Sequence, residues 1–372
     1  MSITDLSVKN TQRIAAIDWM RGIVMILMVL DHASWFFNTH RIFADSVLLY
    51  EVGRLFDTDQ FLTRWITHIC APSFVFLAGT AIAISVAQRT EQGMAHAVIN
   101  RDLLIRGAFI ACLDLYVLSL ALGKIVLQVL YAIGISMILM VPLRRLGRRA
   151  LLVIALVILM GSEALLAVLW HPEYAAPLWL ALTWAPVLGD SYTVLYPVIP
   201  WLAIMMLGWV FGEWLISRQI DPGSIQWLLL LSGTAALLGF MLIRSADGYG
   251  NMFMPLQDDS MVQWLLVSKY PPSLAYVMLE LGLMAISLAA LMRLETLIDV
   301  RHNNPVLVYG QTALFFYLAH FCILAVLNLV LDQGGLMRTY AIALLILIML
   351  YSICRFYRTL KWRNPHSVLR FL

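Results

Sequence analysis

Long apolar runs recur along the whole of this chain, among them residues 125–142, 151–170, 225–243 and 339–354. A run of ~20 apolar residues is long enough to cross the hydrocarbon core of a bilayer as a helix. Only 13% of the 372 residues are charged and 62% are hydrophobic, against ~25% charged in an ordinary soluble domain. The chain therefore reads as an all-α polytopic membrane protein, a bundle of about ten transmembrane helices in one integral-membrane domain over 1–372. The spans fall near 14–36, 62–87, 103–122, 125–142, 150–170, 196–216, 225–243, 271–293, 305–331 and 339–357. A tight turn at Gly123-Lys124 joins the third to the fourth.

The first run is too long for the apolar core of a signal peptide and no small-residue cleavage site follows it, so no cleavable leader is expected. Cys70, Cys112, Cys322 and Cys354 fall within apolar runs and read as small buried hydrophobes, without the spacing of a disulfide or metal framework. The glycines form neither a P-loop nor a dinucleotide fingerprint, and no H-E-x-x-H box occurs, so no metal site is expected. A net charge of +3 is no footprint for nucleic acid, because the basic residues sit in short loops between spans.

Those loops settle an expected orientation, since Lys and Arg gather on the cytoplasmic side. Counted from the N-terminus, alternate sides hold Lys9 and Arg13, then Arg89, Arg101 and Arg106, then Arg144, Arg145, Arg148 and Arg149, then Arg218, then Arg293 and Arg301. The tail adds Arg358, Lys361, Arg363 and Arg370. Both termini are accordingly expected in the cytoplasm, with the long loops 37–61, 171–195 and 244–270 outside.

Ionisable groups within spans are costly and usually face the bundle interior. In "DWMRGIVMILMVLDHASWFF" Arg21 lies near the cytoplasmic end of the first helix and Asp31-His32 near the other. Eleven helical steps bring His32 to within ~20° of Arg21, some ~16 Å along the axis. Asp18 can pair with Arg21 across one turn. In the second span Arg64 and His68 share a face with Pro72, whose ring frees a backbone carbonyl. Lys269 and Tyr270 mark the outer interface before Glu280. The ninth span carries Tyr309 and Gln311 in its inner half, then Tyr317 and His320. Asp114 and Gln128 are further isolated polar groups, and Gln128 reads as a helix–helix hydrogen bonder. His96 and His302 read as solvated loop residues. The plain alternative for Arg64 is interfacial snorkelling, and for His68 a helix clamp.

The strings "IDWMRGIVMILMVLDH", "TRWITHICAPSFVFLAG", "YPVIPWLAIMMLG", "KYPPSLAYVMLELG" and "YGQTALFFYLAH" occur in this order. Together they resemble the pattern of bacterial proteins related to heparan-alpha-glucosaminide N-acetyltransferase, within a wider group of transmembrane acyltransferases. The resemblance covers nearly the whole chain. It implies a multi-pass protein of the bacterial cytoplasmic (inner) membrane that takes acetyl-CoA from the cytoplasm. The acetyl group passes to an extracytoplasmic sugar amine or hydroxyl, or a related amine or alcohol. Membrane lipid is the other implied partner, and a homodimer is left open.

The same resemblance implies roles. Arg21, with Arg101, Arg106 and Arg89, would hold the coenzyme A phosphates. His32 or His68 would take the acceptor's proton; Asp31, whose adjacent helix position does not face His32, would orient another neighbour instead. Arg64, Lys269, Tyr317 and His320 would bind acceptor, and the first three are also candidates to stabilise the developing oxyanion. Where the heparan-type enzymes typically carry Asn, this chain carries His32, and "HASW" resembles the string around their catalytic histidine. The choice among His32, His68 and His40 stays open in that order. The rival reading is a proton-coupled transporter of a small polar solute, with Asp114, Glu280, His68 and His320 as its relay.

Overall fold

A computed structural model describes residues 14–54, 56–217, 222–364 and 367. Lys9, Arg13, Arg218 and Arg370, used in the orientation count, lie outside the described residues. In chain order the helices are α1 Ala15–Phe37, α2 Thr58–Ile66, α3 Cys70–Glu91, α4 His96–Leu113, α5 Ser119–Leu122, α6 Val129–Leu143, α7 Arg148–Leu169 and α8 Leu178–Thr183. They continue as α9 Val198–Ile216, α10 Pro222–Ala246, α11 Met261–Leu265, α12 Leu274–Glu295, α13 Pro305–Gln311, α14 Ala313–Leu327 and α15 Leu336–Arg363. Eight helical stretches among the described residues are long and apolar enough to cross a membrane, or nine if one bent pair is a single span. About ten were expected from the runs of ~20 apolar residues.

The difference lies at the third span. Residues 103–122 are helical, but as the end of α4, a π-helical turn Asp114–Leu118 and the short α5. Charges at Arg101, Asp102 and Arg106 keep α4 from being a uniformly apolar span. The π turn has an identifiable cause in Asp114, which is fully buried. Its Oδ2 accepts the backbone N–H groups of Gln128 at 2.8 Å and Tyr131 at 2.7 Å. Those donors open α6 and have no partner inside that helix, so the carboxylate caps a neighbouring span. Gly123, at φ 68°, makes the intervening turn in a conformation that glycine adopts without strain.

After that turn the chain is extended. β1 Ile125–Leu127 pairs in parallel with β3 Tyr192–Val194, which pairs antiparallel with β2 Val187–Leu188. The fourth span therefore begins at Val129, four residues later than the apolar run suggested. Gln128 stands at the N-cap of α6 and lines a cavity, and its side chain makes no helix–helix hydrogen bond among the described residues.

The second span breaks between Ile66 and Cys70. Pro72 has no N–H to give the carbonyl four residues back, which is that of His68. The Tyr276 hydroxyl donates to this carbonyl instead, at 3.0 Å. Here the expected prolyl break is present, and α12 supplies its missing hydrogen bond.

The ninth span was expected to run unbroken over 305–331. It is two helices, α13 and α14, bent by 98° at the non-helical Thr312 (φ −119°, ψ 23°). The first of them lies directly on α1, backbone to backbone. A Cβ on Gly310 would sit 1.8 Å from the Asp18 carbonyl oxygen, and one on Gly22 would sit 1.9 Å from that of Val306. Neither backbone can yield without separating the helices. Gly310→Ala and Gly22→Ala are each expected to destabilise the protein by at least ~1–3 kcal/mol, the usual cost of overpacking. An unchanged unfolding midpoint in detergent for both variants would show that the two helices are not so close.

α1 is the central element, packed against α3, α12, α13, α14 and α15. Cys70 and Cys354 are buried as expected, whereas Cys112 and Cys322 face outward from the bundle.

Candidate functional site

Two cavities lie along α1, and together they collect most of the residues singled out from the sequence. The first, of about 390 Å³, is lined among others by Asp31, His32, Trp35, Arg41, Asp45, Arg64, Cys70, Gln128, Tyr196, Lys269, Tyr270 and Tyr317. The second, of about 240 Å³, is lined by Arg21, Arg106 and Lys361 amid apolar side chains such as Phe74, Ala78, Leu130, Ile133 and Leu314. No acidic residue lines the second cavity among the described residues. Neighbouring positions of the same three helices serve both: Cys70 and Ala71 then Phe74 and Ala78 on α3, Val129 then Leu130 and Ile133 on α6, Tyr317 then Leu314 on α14. The cavities are thus two depths of one seam, separated along α1 by the ten residues from Arg21 to Asp31, or ~15 Å of helix.

At the first cavity the Asp31 carboxylate is engaged by arginines. Its Oδ1 accepts from Arg41 at 2.8 Å, Arg64 at 2.5 Å and the Thr67 hydroxyl at 3.1 Å. Arg64 also donates to Asp45, so one buried guanidinium bridges the buried Asp45 and the half-buried Asp31. Burial by itself would raise the Asp45 carboxyl, but Arg64 beside it, with His68 and Lys269, holds it well below the usual carboxylate range. The Asp45 carbonyl accepts the backbone N–H groups of Lys269 and Tyr270, tying the loop after α1 to the entrance of α12. Arg41 lies against the faces of Trp35 and Phe43, 5.8 and 5.3 Å from their centroids. The Lys269 ammonium has no ion-pair partner among the described residues. It lies 5.2 Å from the Tyr270 ring centroid, and its residue lines the cavity.

The histidines separate clearly. His32 lines the cavity, and its Nδ1 is 2.7 Å from Nε2 of His320. His320 is fully buried behind it, with its own Nδ1 3.0 Å from the Phe316 carbonyl. His68 is buried, does not line the cavity and lies 3.6 Å from Asp45. His40 is exposed and borders a different surface pocket. Tyr317, edge-on to His32 at 6.0 Å, has a buried hydroxyl without a hydrogen-bond partner among the described residues.

In the second cavity Arg21 is 3.4 Å from Asp18 and donates to the Leu77 carbonyl at 3.0 Å. The buried Nε of Arg106 has no hydrogen-bond partner among the described residues. Arg101 lies outside this cavity, exposed and 3.7 Å from Asp102. Arg89 is held by the same Asp102. His96 and His302 are exposed, as read from the sequence.

Glu280 does not reach the first cavity. It lines a separate groove of about 690 Å³ with Met20, Leu27, Trp65 and Leu283. With Asp114 spent as a helix cap and His68 set apart, the four residues of the transporter relay do not meet in one pathway. Arg41, Asp45 and Lys361 are the site residues that sequence reasoning did not single out. The first two sit in an irregular loop, where no periodicity marks them, and the third in the last turn of α15, past its apolar stretch. Their only signal was being charged within a few residues of a span.

A search of curated proteins returned no match. The family model for heparan-alpha-glucosaminide N-acetyltransferase, catalytic, matches residues 13–244, which include α1, the break between Ile66 and Cys70 and the Arg106 helix. The chain belongs to this family of membrane-embedded, acetyl-CoA-dependent acetyltransferases.

Proposed function

We propose that the two cavities divide one reaction between the faces of the membrane, with the donor's nucleotide held at the Arg21 end and the acceptor at the His32 end. The observation that supports this most is the seam itself: a basic, acid-free pocket and a histidine pocket, lined by successive turns of α3, α6 and α14. As an acetyltransferase of its family, the protein moves the acetyl group of acetyl-CoA to an extracytoplasmic acceptor. Coenzyme A is anionic at its nucleotide end, and the orphaned Arg106 Nε is a donor of the kind phosphate satisfies. Arg21, Arg106 and Lys361 would hold it, while the apolar seam accommodates its thin arm. Acetyl-CoA, when bound, supplies an activated thioester carbonyl.

The protein's residues supply the rest. His32 removes the proton from the acceptor's amine or hydroxyl as that atom bonds to the acetyl carbon, and the proton then leaves with the thiol released when the C–S bond breaks. Tyr317 and Lys269 face the same cavity with donors to spare and stabilise negative charge on the carbonyl oxygen. Trp35, Tyr196 and Tyr270 offer aromatic walls of the kind a sugar ring packs against. The acceptor is accordingly read as a sugar amine or hydroxyl. The cavity shared by Arg21 of α1 and Lys361 of α15 supports reading the start of α1 and the end of α15 as lying at one end of the bundle. The Arg and Lys of the loops support reading that end as the cytoplasmic one, in a bacterial inner membrane, with 1–372 as one functional unit.

The test uses the purified protein in liposomes with acetyl-labelled acetyl-CoA and a panel of amino sugars, sugars and simple amines. Label is expected to move to an acceptor with stoichiometric release of coenzyme A. Folded protein that neither binds coenzyme A nor consumes thioester with any acceptor would overturn this reading. Proton-coupled solute flux in the same vesicles would then favour the transporter.

A further inference from the structure

His32 and His320 come from opposite ends of the chain, yet their rings meet edge to edge. The ring planes are parallel to within 3° with centroids 5.0 Å apart. Facing nitrogens 2.7 Å apart account for that separation only if the rings lie side by side in one plane. Face-to-face stacking would not bring two in-plane nitrogens to this distance. An in-plane contact is the geometry of a strong, nearly linear hydrogen bond.

The direction of that bond follows from the far end. A backbone carbonyl only accepts, so the 3.0 Å contact of His320 Nδ1 with Phe316 places a proton on that nitrogen. A neutral imidazole carries one proton, which leaves His320 Nε2 as a bare acceptor. The hydrogen on the shared bond therefore belongs to His32 Nδ1. His32 is left with an unprotonated Nε2, which has no hydrogen-bond partner among the described residues, on a side chain that lines the cavity.

We propose that His320 is the positioning residue of the site: it fixes His32 as the Nδ1–H tautomer, so that Nε2 is the basic atom, and it shares the proton that His32 takes up. This rests on the reading of His32 as the acetyltransferase base. The place that a carboxylate holds behind the histidine of a serine-type triad is here held by a second, neutral imidazole braced on a backbone carbonyl. Asp31 is next in sequence but makes no hydrogen bond to His32, its Oδ1 being taken by Arg41, Arg64 and Thr67. The pairing also moves His320 from acceptor binding to support, since it does not line the cavity. When Nε2 takes the acceptor's proton, the imidazolium donates more strongly through Nδ1, and the charge spreads over two rings without an ion pair. The proton returns through Nε2 to the departing thiolate sulfur, so no proton is gained or lost over a cycle.

Nitrogen-15 NMR of histidine-labelled protein in nanodiscs reads the tautomer directly and needs no turnover. His32, assigned from the spectrum of His32→Asn, is expected with a protonated Nδ1 and a bare Nε2, and a wild-type spectrum with Nε2–H would overturn the proposal. His320→Leu is expected to lower kcat roughly 10²-fold, less than the ~10⁴ lost when a triad carboxylate is replaced, with KM for acetyl-CoA unchanged. His320→Gln, whose amide oxygen can accept from His32 Nδ1, is expected to restore most of that loss. Full activity in His320→Leu, or a change confined to the acceptor's KM, would overturn it. If His320→Leu does not fold, the tautomer spectrum and the Gln variant still decide. A wild-type protein that transfers no acetyl group would refute the functional reading while leaving the tautomer result to stand or fall alone.

Discussion

His32→Asn is expected to lower kcat for acetyl transfer about 10²–10⁴-fold, the range over which a positioned general base contributes, with the KM for acetyl-CoA little changed. Asparagine is the informative replacement. Its amide nitrogen lies near the position of His Nδ1 and can keep donating to His320, while nothing takes the place of the basic Nε2. The packing of the pair is thereby retained and the base alone is removed. His68→Ala serves as the contrast, because His68 is buried away from the cavity and its loss should leave the chemical step largely intact. The measurement is initial-rate coenzyme A release from proteoliposomes at saturating acetyl-CoA. Equal loss in both variants would mean that packing, not proton transfer, is being read, and an active His32→Asn enzyme would remove His32 from the chemistry.

Arg64→Leu is expected to destabilise the fold by ~3–5 kcal/mol, the cost of leaving buried charge without its partner. Arg64 is 8% exposed and Asp45 2% exposed, and the one guanidinium holds both Asp31 and Asp45. Removing it takes the arginine from Asp45, which keeps His68 at 3.6 Å, and leaves Asp31 with Arg41 and Thr67. Arg64→Lys is expected to recover only part of the loss, since a single ammonium cannot present two divergent N–H groups in one plane. Thermal unfolding in detergent, followed by intrinsic tryptophan fluorescence, is the check. A midpoint for Arg64→Leu within a degree of wild type would show that this cluster does not hold the loop onto the bundle.

Much of this architecture was legible in the sequence, for reasons that differ by element. α1 was placed to within a residue because nothing in "IVMILMVL" can break a helix and its polar residues fall at its ends. The Arg21-to-His32 face was legible from helical geometry alone, which is why the two cavities lie where the spacing put them. Pro72 announced its own break. What was not legible depends on distant contacts. The bend at Thr312 goes with a backbone contact that Gly310 and Gly22 allow, and no local signal in "YGQTALFF" distinguishes it from a straight span. Asp114 looked like an unpaired charge until α6 was found to begin against it. The partner of His32 lies 288 residues away, beyond the reach of any local pattern, while Asp31, its neighbour in sequence, holds Arg41, Arg64 and Thr67 instead.

The hydrogen-bonded run from His32 through His320 ends on the Phe316 carbonyl, an oxygen that cannot be protonated in water-like conditions and has no proton to pass on. A wire that ends this way is a capacitor. It can hold one proton for the duration of a catalytic step, but it offers no second exit. On the proposed reading, in which the two pockets serve opposite faces of an energised membrane, that distinction matters, because a continuous chain of imidazoles and carboxylates would short-circuit the proton gradient. On that reading the two histidines that would make the site basic also leave the bilayer around it insulating.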